Sequence, residues 1–474
     1  MTVPVADPPV PAPTGLGSLG PFVIPGEPKW LTGARHRAAE RVRRDGFPTR
    51  KHEDWRYFDL RPAFELPVTH TGEEPGRTAL ATAKRLLGPG LGGARLVFVN
   101  GYFTPSLSPT DGLTSGVRVV PLSQLAGAAG SPGGAGEVLH HLWSVEGGGE
   151  RHGFDALNAA LAVDGAIVEL PEGATVEAPI EVVYVSVADD GVPLSSLRSL
   201  VLAGARSTAT VVETFVGAGA SPSMTNAFTK VLVGEGAHLD HYTVQDEPGE
   251  AIHLSTLELH PERAGSVSSH LLALGGRLAR HEVRVRLAAE GSSAELDGLY
   301  LPGGSQCHDN PVLVEHAAPG CASRQLYKGI IDGSARGVFN GHVVVHPGAD
   351  GTDAHQVNKN LLLAERAEAD TRPRLEIFAD DVACTHGAAV GQLDRDALFY
   401  LRSRGIPEPA ARALLISGFA REVLDRYQPP VLRQRAEALV DRHLGRADVG
   451  VPSGSAAVSS VEGSSEDPGK ERRP

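Results

Sequence analysis

Three stretches decide the fold: LVLAGARSTATVV (200–212), VLVGEGAHLDHY (231–242) and VRLAAEGSSAELDG (285–298). Each joins a short Val/Leu run to a glycine-bearing turn and then to a run of alternating apolar and polar residues. Comparable turns fall at Pro171-Glu172-Gly173, Gly204-Ala205, Gly234-Glu235-Gly236, Pro261-Glu262, Glu290-Gly291, Pro319-Gly320 and Pro347-Gly348, with spacings of about 27–31 residues. A fixed period in that range marks a repeat architecture. Units this short cannot bury their own apolar faces, so neighbours must stack. The alternation at Ala209-Thr210-Val211-Val212-Glu213 and Ala294-Glu295-Leu296-Asp297 is that of strands. The pattern predicts a β-solenoid with about one coil per repeat over 160–385. A sandwich or barrel would turn about every 8–12 residues and fits less well.

Composition agrees. Gly (56) and Pro (35) make up about 19% of the 474 residues, against an average nearer 12%. Aromatics are 5% and Met only 2, so the core must be built from Val, Leu, Ile and Ala. A net charge of −13 argues against general nucleic-acid binding, because phosphate contacts need a basic surface. Three cysteines, Cys307, Cys321 and Cys384, cannot make a disulfide framework and fit a reducing compartment. The N-terminus MTVPVADPPVPAPTGLG lacks the basic and apolar regions of a signal peptide. No apolar run reaches the roughly 18 residues of a spanning helix. The expected setting is cytoplasmic, with no membrane and no nucleic-acid partner.

Outside the repeats the texture changes. Residues 1–28 carry eight prolines and read as a disordered tail. Residues 29–125 read as an N-terminal α+β region opening on an exposed basic helix (WLTGARHRAAERVRRD, 30–45), and 126–153 as a Gly-rich linker. The β-solenoid core is placed at 154–390 and a helical region at 391–445. In the latter, Asp394 caps a helix that Gly405 and Pro407 stop, and two more helices follow. Residues 446–474, serine-rich and charged, read as a second disordered tail. Helices appended to a solenoid end either shield it or dock a partner.

Candidate chemistry gathers in 305–386, which holds all three cysteines and six histidines. Thiolate and imidazole suit zinc, copper and iron–sulfur clusters. The spacing Cys307-His308…His316…Cys321 matches no standard zinc module. Buried small residues and turn histidines explain it better than a standalone zinc site does. Cys384 and His386 lie two apart in a strand and share a face; periodicity alone favours ordinary strand residues, and as half of a metal or cluster site they would need a partner chain for the remaining ligands. There is no GxSxG, GxxxxGK[ST] or HExxH. Asp380-Asp381 would point to opposite strand faces, which disfavours a polysaccharide-active β-helix enzyme. The segment Lys51-His52-Glu53-Asp54-Trp55-Arg56-Tyr57 has the stacking and charge to bind single strands, but its acids balance its Lys and Arg. It reads as a packing hinge between the N-terminal region and the solenoid.

The segment DVACTHGAAVGQLDRDALFYLRSRGIPEPAARALLISGFAREVL, from 381 on, resembles the C-terminal block of the SufB/SufD family of iron–sulfur cluster assembly proteins. SRQLYKGIIDGSARGVFNGHVVVHPGADGTDAHQVNKNLLL (323–363) and RPRLEIFADDVACTHGA (372–388) are similar to its core. PTRKHEDWRY (48–57) and FDALNAALAVDGAIVELPEG (154–173) are similar to its N-terminal patterns. The CTHGAAVGQLD wording and the LRSRGI helix end are SufD-like; a SufB-like paralogue scaffold is the alternative. The long tails and the glycine insertions near 127–149 depart from the pattern but leave its motifs intact.

The resemblance implies a mainly β fold: a right-handed parallel β-helix core with an α+β N-terminal region and a C-terminal helical region. It implies a non-catalytic scaffold subunit that pairs with a SufB-like paralogue and binds a SufC-like ABC ATPase, with a cysteine desulfurase system feeding sulfur indirectly. A transient iron–sulfur cluster would be shared with SufB, with His386 as the interface ligand and Cys384 second to it. A reduced flavin is associated with such complexes, although no flavin motif is readable here. The ATPase would meet Leu398, Phe399, Arg402, Gly405, Ile406 and Phe419.

Overall fold

The computed structural model describes Leu16 and residues 19–69, 74–110, 113–127, 135–143, 152–188, 191–219 and 222–445. From Ala166 the chain winds between two facing parallel sheets. One carries Ile180–Val187, Thr208–Ala218, His238–Asp246, Ser266–Ala273, Ser293–Tyr300, Ala322–Ile331, Thr352–Leu362 and Val382–Gln392 in order. The other carries Ala166–Leu170, Val192–Ala203, Met224–Val233, Ile252–Pro261, Leu278–Leu287, Cys307–His316 and Arg336–Val345, ending in Glu368–Thr371 and Arg374–Ile377. Thr208, His238, Ser266, Ser293, Ala322, Asp353 and Ala383 stand in register from coil to coil. Their steps of 27–31 residues are the turn spacing read from the sequence.

The period has a backbone cause. At one corner of each coil a residue adopts positive φ: Gly173, Arg206, Gly236, Ala264, Gly291 and Gly320, at 52–70°. Each donates its N–H to a carbonyl of the next coil, as Gly236 does to Arg263 and Gly291 to Pro319. The left-handed corner is easiest for glycine. Arg206 and Ala264 show that the stacked hydrogen bonds hold it without one.

Inward side chains make one apolar core from Leu96 to Ala354, dominated by Val, Leu and Ala. The two ends differ. At the first, Arg95–Val99 adds in parallel to Ile180–Val187, and Arg118–Pro121 adds antiparallel to Ala166–Leu170. At the last, no described strand covers Val382–Gln392 or Arg374–Ile377. The C-terminal helices Glu408–Leu424 and Pro430–His443 do not shield that end. Their apolar residues, including Ile416, Val423, Leu432 and Val440, pack on the outer face of the first sheet against Val212, Tyr242, Leu272 and Leu299. They therefore cover a flank.

The N-terminal region corrects several expectations. The helix Lys29–Asp45 is not an exposed one: Leu31, Arg35, Ala38, Ala39 and Val42 are buried. Within 1–28, the described part packs down. Ile24 is buried, Phe22 donates its N–H to Ala160, and Glu27 pairs at 3.0 Å with the fully buried Arg35. Proline-rich sequence hides such contacts because it shows no period. Residues 1–15, 17–18 and 446–474 lie outside the described residues. The stretch read as a linker contains a helix, Ala135–Trp143, with Val138, Leu139 and Leu142 buried; its glycine-rich flanks are outside the described residues. The segment at 154, read as the start of the core, is the buried helix Gly153–Leu161, and solenoid strands begin at Ala166.

The hinge segment does join the two parts. Trp55 is buried, with the Arg280 guanidinium 3.8 Å from its ring centroid. The Asp54 carbonyl accepts from Arg280, its carboxylate accepts from Asn340 and Arg374, and Glu53 pairs with Arg372.

Candidate functional site

The uncovered end of the solenoid brings the candidate ligands to the surface. Val382–Gln392 is an eleven-residue strand bonded on one side only, to Thr352–Leu362. Its other edge offers a row of unpaired N–H and C=O groups, a template for another chain. In the preceding strand Ala354, Gln356, Asn358 and Asn360 point into the solenoid and are buried, while Lys359 points out to Glu422. Register places Cys384 beside Ala354 and His386 beside Gln356, so both candidates stand on the inner face at the open end. Thr385 faces outward and meets His355 at 2.6 Å.

The two candidates differ in setting. Cys384 is half-buried and packs against the apolar interior; burial raises its thiol above the ordinary range. His386 is exposed and has no hydrogen bond or ion pair with any described residue. Among the described residues, no group of three or more His, Cys, Asp or Glu could hold a metal ion. This pair is therefore at most part of a ligand set. Around it the open end exposes Phe378 (60%), Val390 (47%) and Ile377 (41%). None of these three was singled out from the sequence, where they read as ordinary strand residues.

Cys307, His308, His316 and Cys321 do not converge on one site among the described residues. Burial pushes the Cys307 thiol up to about 12, and that thiol faces the Tyr57 carbonyl. Cys321 is fully buried and donates to the Ala289 carbonyl at 3.3 Å. His308 and His316 are buried in the same strand, and His316 meets Ser323 at 2.9 Å. Cys321, His308 and His316 fill the role of packed core residues, and Cys307 packs half-buried against the N-terminal apolar cluster.

Beyond the open strand, Asp394 accepts from the N–H groups of Asp396 and Ala397 and starts the helix Arg395–Ser403. That helix has no buried residue, and Phe399 (73%) and Tyr400 (56%) stand exposed on it. Leu398 and Ile406 are half-buried, Gly405 turns the chain at φ 84°, and Arg402 pairs with Glu408 at 3.2 Å. Phe419 differs from the rest of the set. It packs toward the solenoid with the Lys328 ammonium 3.7 Å from its ring centroid, so it seats the helix Glu408–Leu424 on the sheet.

Comparison with known proteins meets this geometry. Residues 185–419 match the SufBD core domain of the SUF system for FeS cluster assembly, and residues 23–182 match the SufBD protein N-terminal region. The chain is 33% identical over 411 residues to the iron–sulfur cluster assembly protein SufD of Escherichia coli, covering 85% of this chain and 91% of that one. It is 30% identical over 418 residues to a SufBD family protein of Synechocystis, covering 86% and 90%. It is 26% identical over 295 residues to SufD of Bacillus subtilis, covering 62% and 67%. No helix among the described residues is long and apolar enough to cross a membrane. The chain belongs to the SufBD family of iron–sulfur cluster assembly proteins, and within that family it is SufD-like.

Proposed function

We propose that this chain is a non-catalytic subunit that pairs through its uncovered solenoid end with a SufB-like paralogue and offers His386 to a nascent iron–sulfur cluster at that junction. The observation that carries this reading is the asymmetry of the solenoid: one end is capped by added strands, and the other presents a strand edge that no described strand covers, carrying His386 at the same end as the exposed Phe378 and Val390. The cluster is cargo. It takes its remaining ligands from the partner, because Cys384 and His386 are too few to hold it alone. Neutral imidazole supplies the lone pair, and protonation removes it.

The helix Arg395–Ser403, with Phe399 and Tyr400 exposed, is the docking surface for an ABC ATPase of the SufC type. It follows the open strand directly, so a shift of this helix reaches the edge that carries His386. ATP drives such a shift only if the ATP-bound partner favours one arrangement over the other. A cytoplasmic setting suits the three unpaired cysteines.

The test is co-expression with SufB- and SufC-like partners, pull-down on this chain and an anaerobic visible spectrum. Both partners should co-purify with a cluster chromophore. His386→Ala should keep the complex and lose the chromophore, whereas Phe399→Ala should lose the ATPase first. A full cluster yield in His386→Ala would overturn the ligand role. A chain that captures neither partner would overturn the pairing.

A further inference from the structure

The register that brings His386 to the open end also sets a ladder of amides beneath it. Gln325, Gln356 and His386 are consecutive partners across three parallel strands, and such strands lie roughly 4.8 Å apart. Gln325 and Gln356 are 3% and 1% exposed. Gln356 donates Nε2–H to Gln325 Oε1 at 3.0 Å. That bond uses one of the two Nε2 hydrogens of Gln356 and turns its Oε1 away from Gln325. This oxygen is buried and accepts no bond from any described residue. A buried acceptor left in that state is unfavourable, so it calls for a partner.

The side chain has little freedom to find one elsewhere. It lies across the interior onto Gly341 of the facing sheet, where a Cβ would come within 2.1 Å of Gln356 Nε2. The absent side chain at 341 makes room for the amide, and the tight fit holds it. On the inner face of the adjacent strand, the group in register with it is the unpartnered imidazole of His386.

We infer that Gln356 is a positioning residue for His386: its Oε1 accepts the N–H of one imidazole nitrogen, which fixes the tautomer and leaves the lone pair of the other directed out of the open end. A histidine that binds a metal generally donates its second N–H to an oxygen in this way. The Gln325–Gln356–His386 ladder supplies that oxygen from inside the solenoid. The consequence for cluster chemistry rests on the proposed role of His386; the contact itself does not.

The contact is tested in the full chain, without partners or metal. Selective ¹⁵N labelling of histidine, with the His386 signals assigned by their loss in His386→Ala, reports which ring nitrogen carries hydrogen at alkaline pH. Wild type should show a single tautomer. Gln356→Leu, of similar volume, should give an exchanging mixture of both. Gln356→Glu keeps an acceptor oxygen and should restore the single form. Two results would overturn the inference: a tautomer mixture in wild type, or a single tautomer that persists in Gln356→Leu. In the co-expressed complex, Gln356→Leu should lower cluster yield ~10-fold or more, with Gln356→Glu above it. If His386→Ala kept its clusters while Gln356→Leu still released the tautomer, the ligand role would fall and the contact would stand.

Discussion

The contact that seats the C-terminal helices on the solenoid gives the sharpest stability prediction. Lys328 projects outward from the strand Ala322–Ile331 and its side chain is 2% exposed. Its ammonium lies 2.7 Å from Glu422 and over the Phe419 ring. Glu422 is 43% exposed and also pairs with Lys359 at 2.9 Å. Burial lowers the Lys328 pKa, and Glu422 opposes that shift. The attraction at 2.7 Å is about 6 kcal/mol at an effective dielectric of about 20. Water around Glu422 screens much of it. Breaking a fully buried pair costs about 3–5 kcal/mol, chiefly because a charge is stranded. Here only the lysine is deeply buried, so Glu422→Gln should cost about 1–3 kcal/mol. Lys328→Met strands nothing, since Glu422 keeps water and Lys359, and should cost under about 1 kcal/mol. The double variant Lys328→Met/Glu422→Leu should lie near Lys328→Met. Urea unfolding gives the energies, and hydrogen exchange over 408–424 locates them. An equal or reversed order of the two single variants would refute the argument that burial of the ammonium decides the cost.

Acid stability should depend on buried histidines. Burial holds His308 at about 3 and His316 at about 4, against an ordinary value of about 6.5. The unfolded chain takes up protons that the fold refuses, so stability falls as pH drops below about 6.5. Asp164 and Asp309, pushed up to about 6 by burial, work the other way between about 6 and 3.8. His316→Gln should flatten the decline from pH 7 to 5 by up to about 2 kcal/mol; unfolding curves at both pH values with an unchanged difference would contradict this. Trp55→Ala should destabilise the fold by about 3–5 kcal/mol and free the hinge segment, read as lost exchange protection near Trp55. At the solenoid corner, Gly291→Ala meets nothing within 4 Å, so its cost of about 1–2 kcal/mol would be backbone alone. Ala264→Gly at φ 52° should recover part of that penalty, and thermal melts of the two variants should shift in opposite directions.

The solenoid was legible because its period is written twice, in the Gly- and Pro-bearing turns and in the strand alternation, and both arise from one repeated backbone corner. The terminal helices were legible for a similar reason: Asp394 caps one, and Gly405 with Pro407 stops it. Cys384 and His386 could be placed on one face because strand parity is local. The burial of Ile24 and of the helix Lys29–Asp45 was not legible, since it depends on surfaces supplied by Ala160 and its neighbours far along the chain. Phe419 was placed at the ATPase surface by the family resemblance; that its ring packs toward Lys328, 91 positions earlier, is visible only in the tertiary structure.

The sequence by itself determined the coil length, the parallel stacking and the family, because these rest on periodicity and on contiguous motifs. Only the tertiary structure decided that one end of the solenoid is capped and the other bare, that the C-terminal helices cover a flank, and that Gln356 lies beneath His386. Those features depend on which coil is last and on what packs across it, and contacts between residues some 30 or more positions apart leave no local mark in the chain.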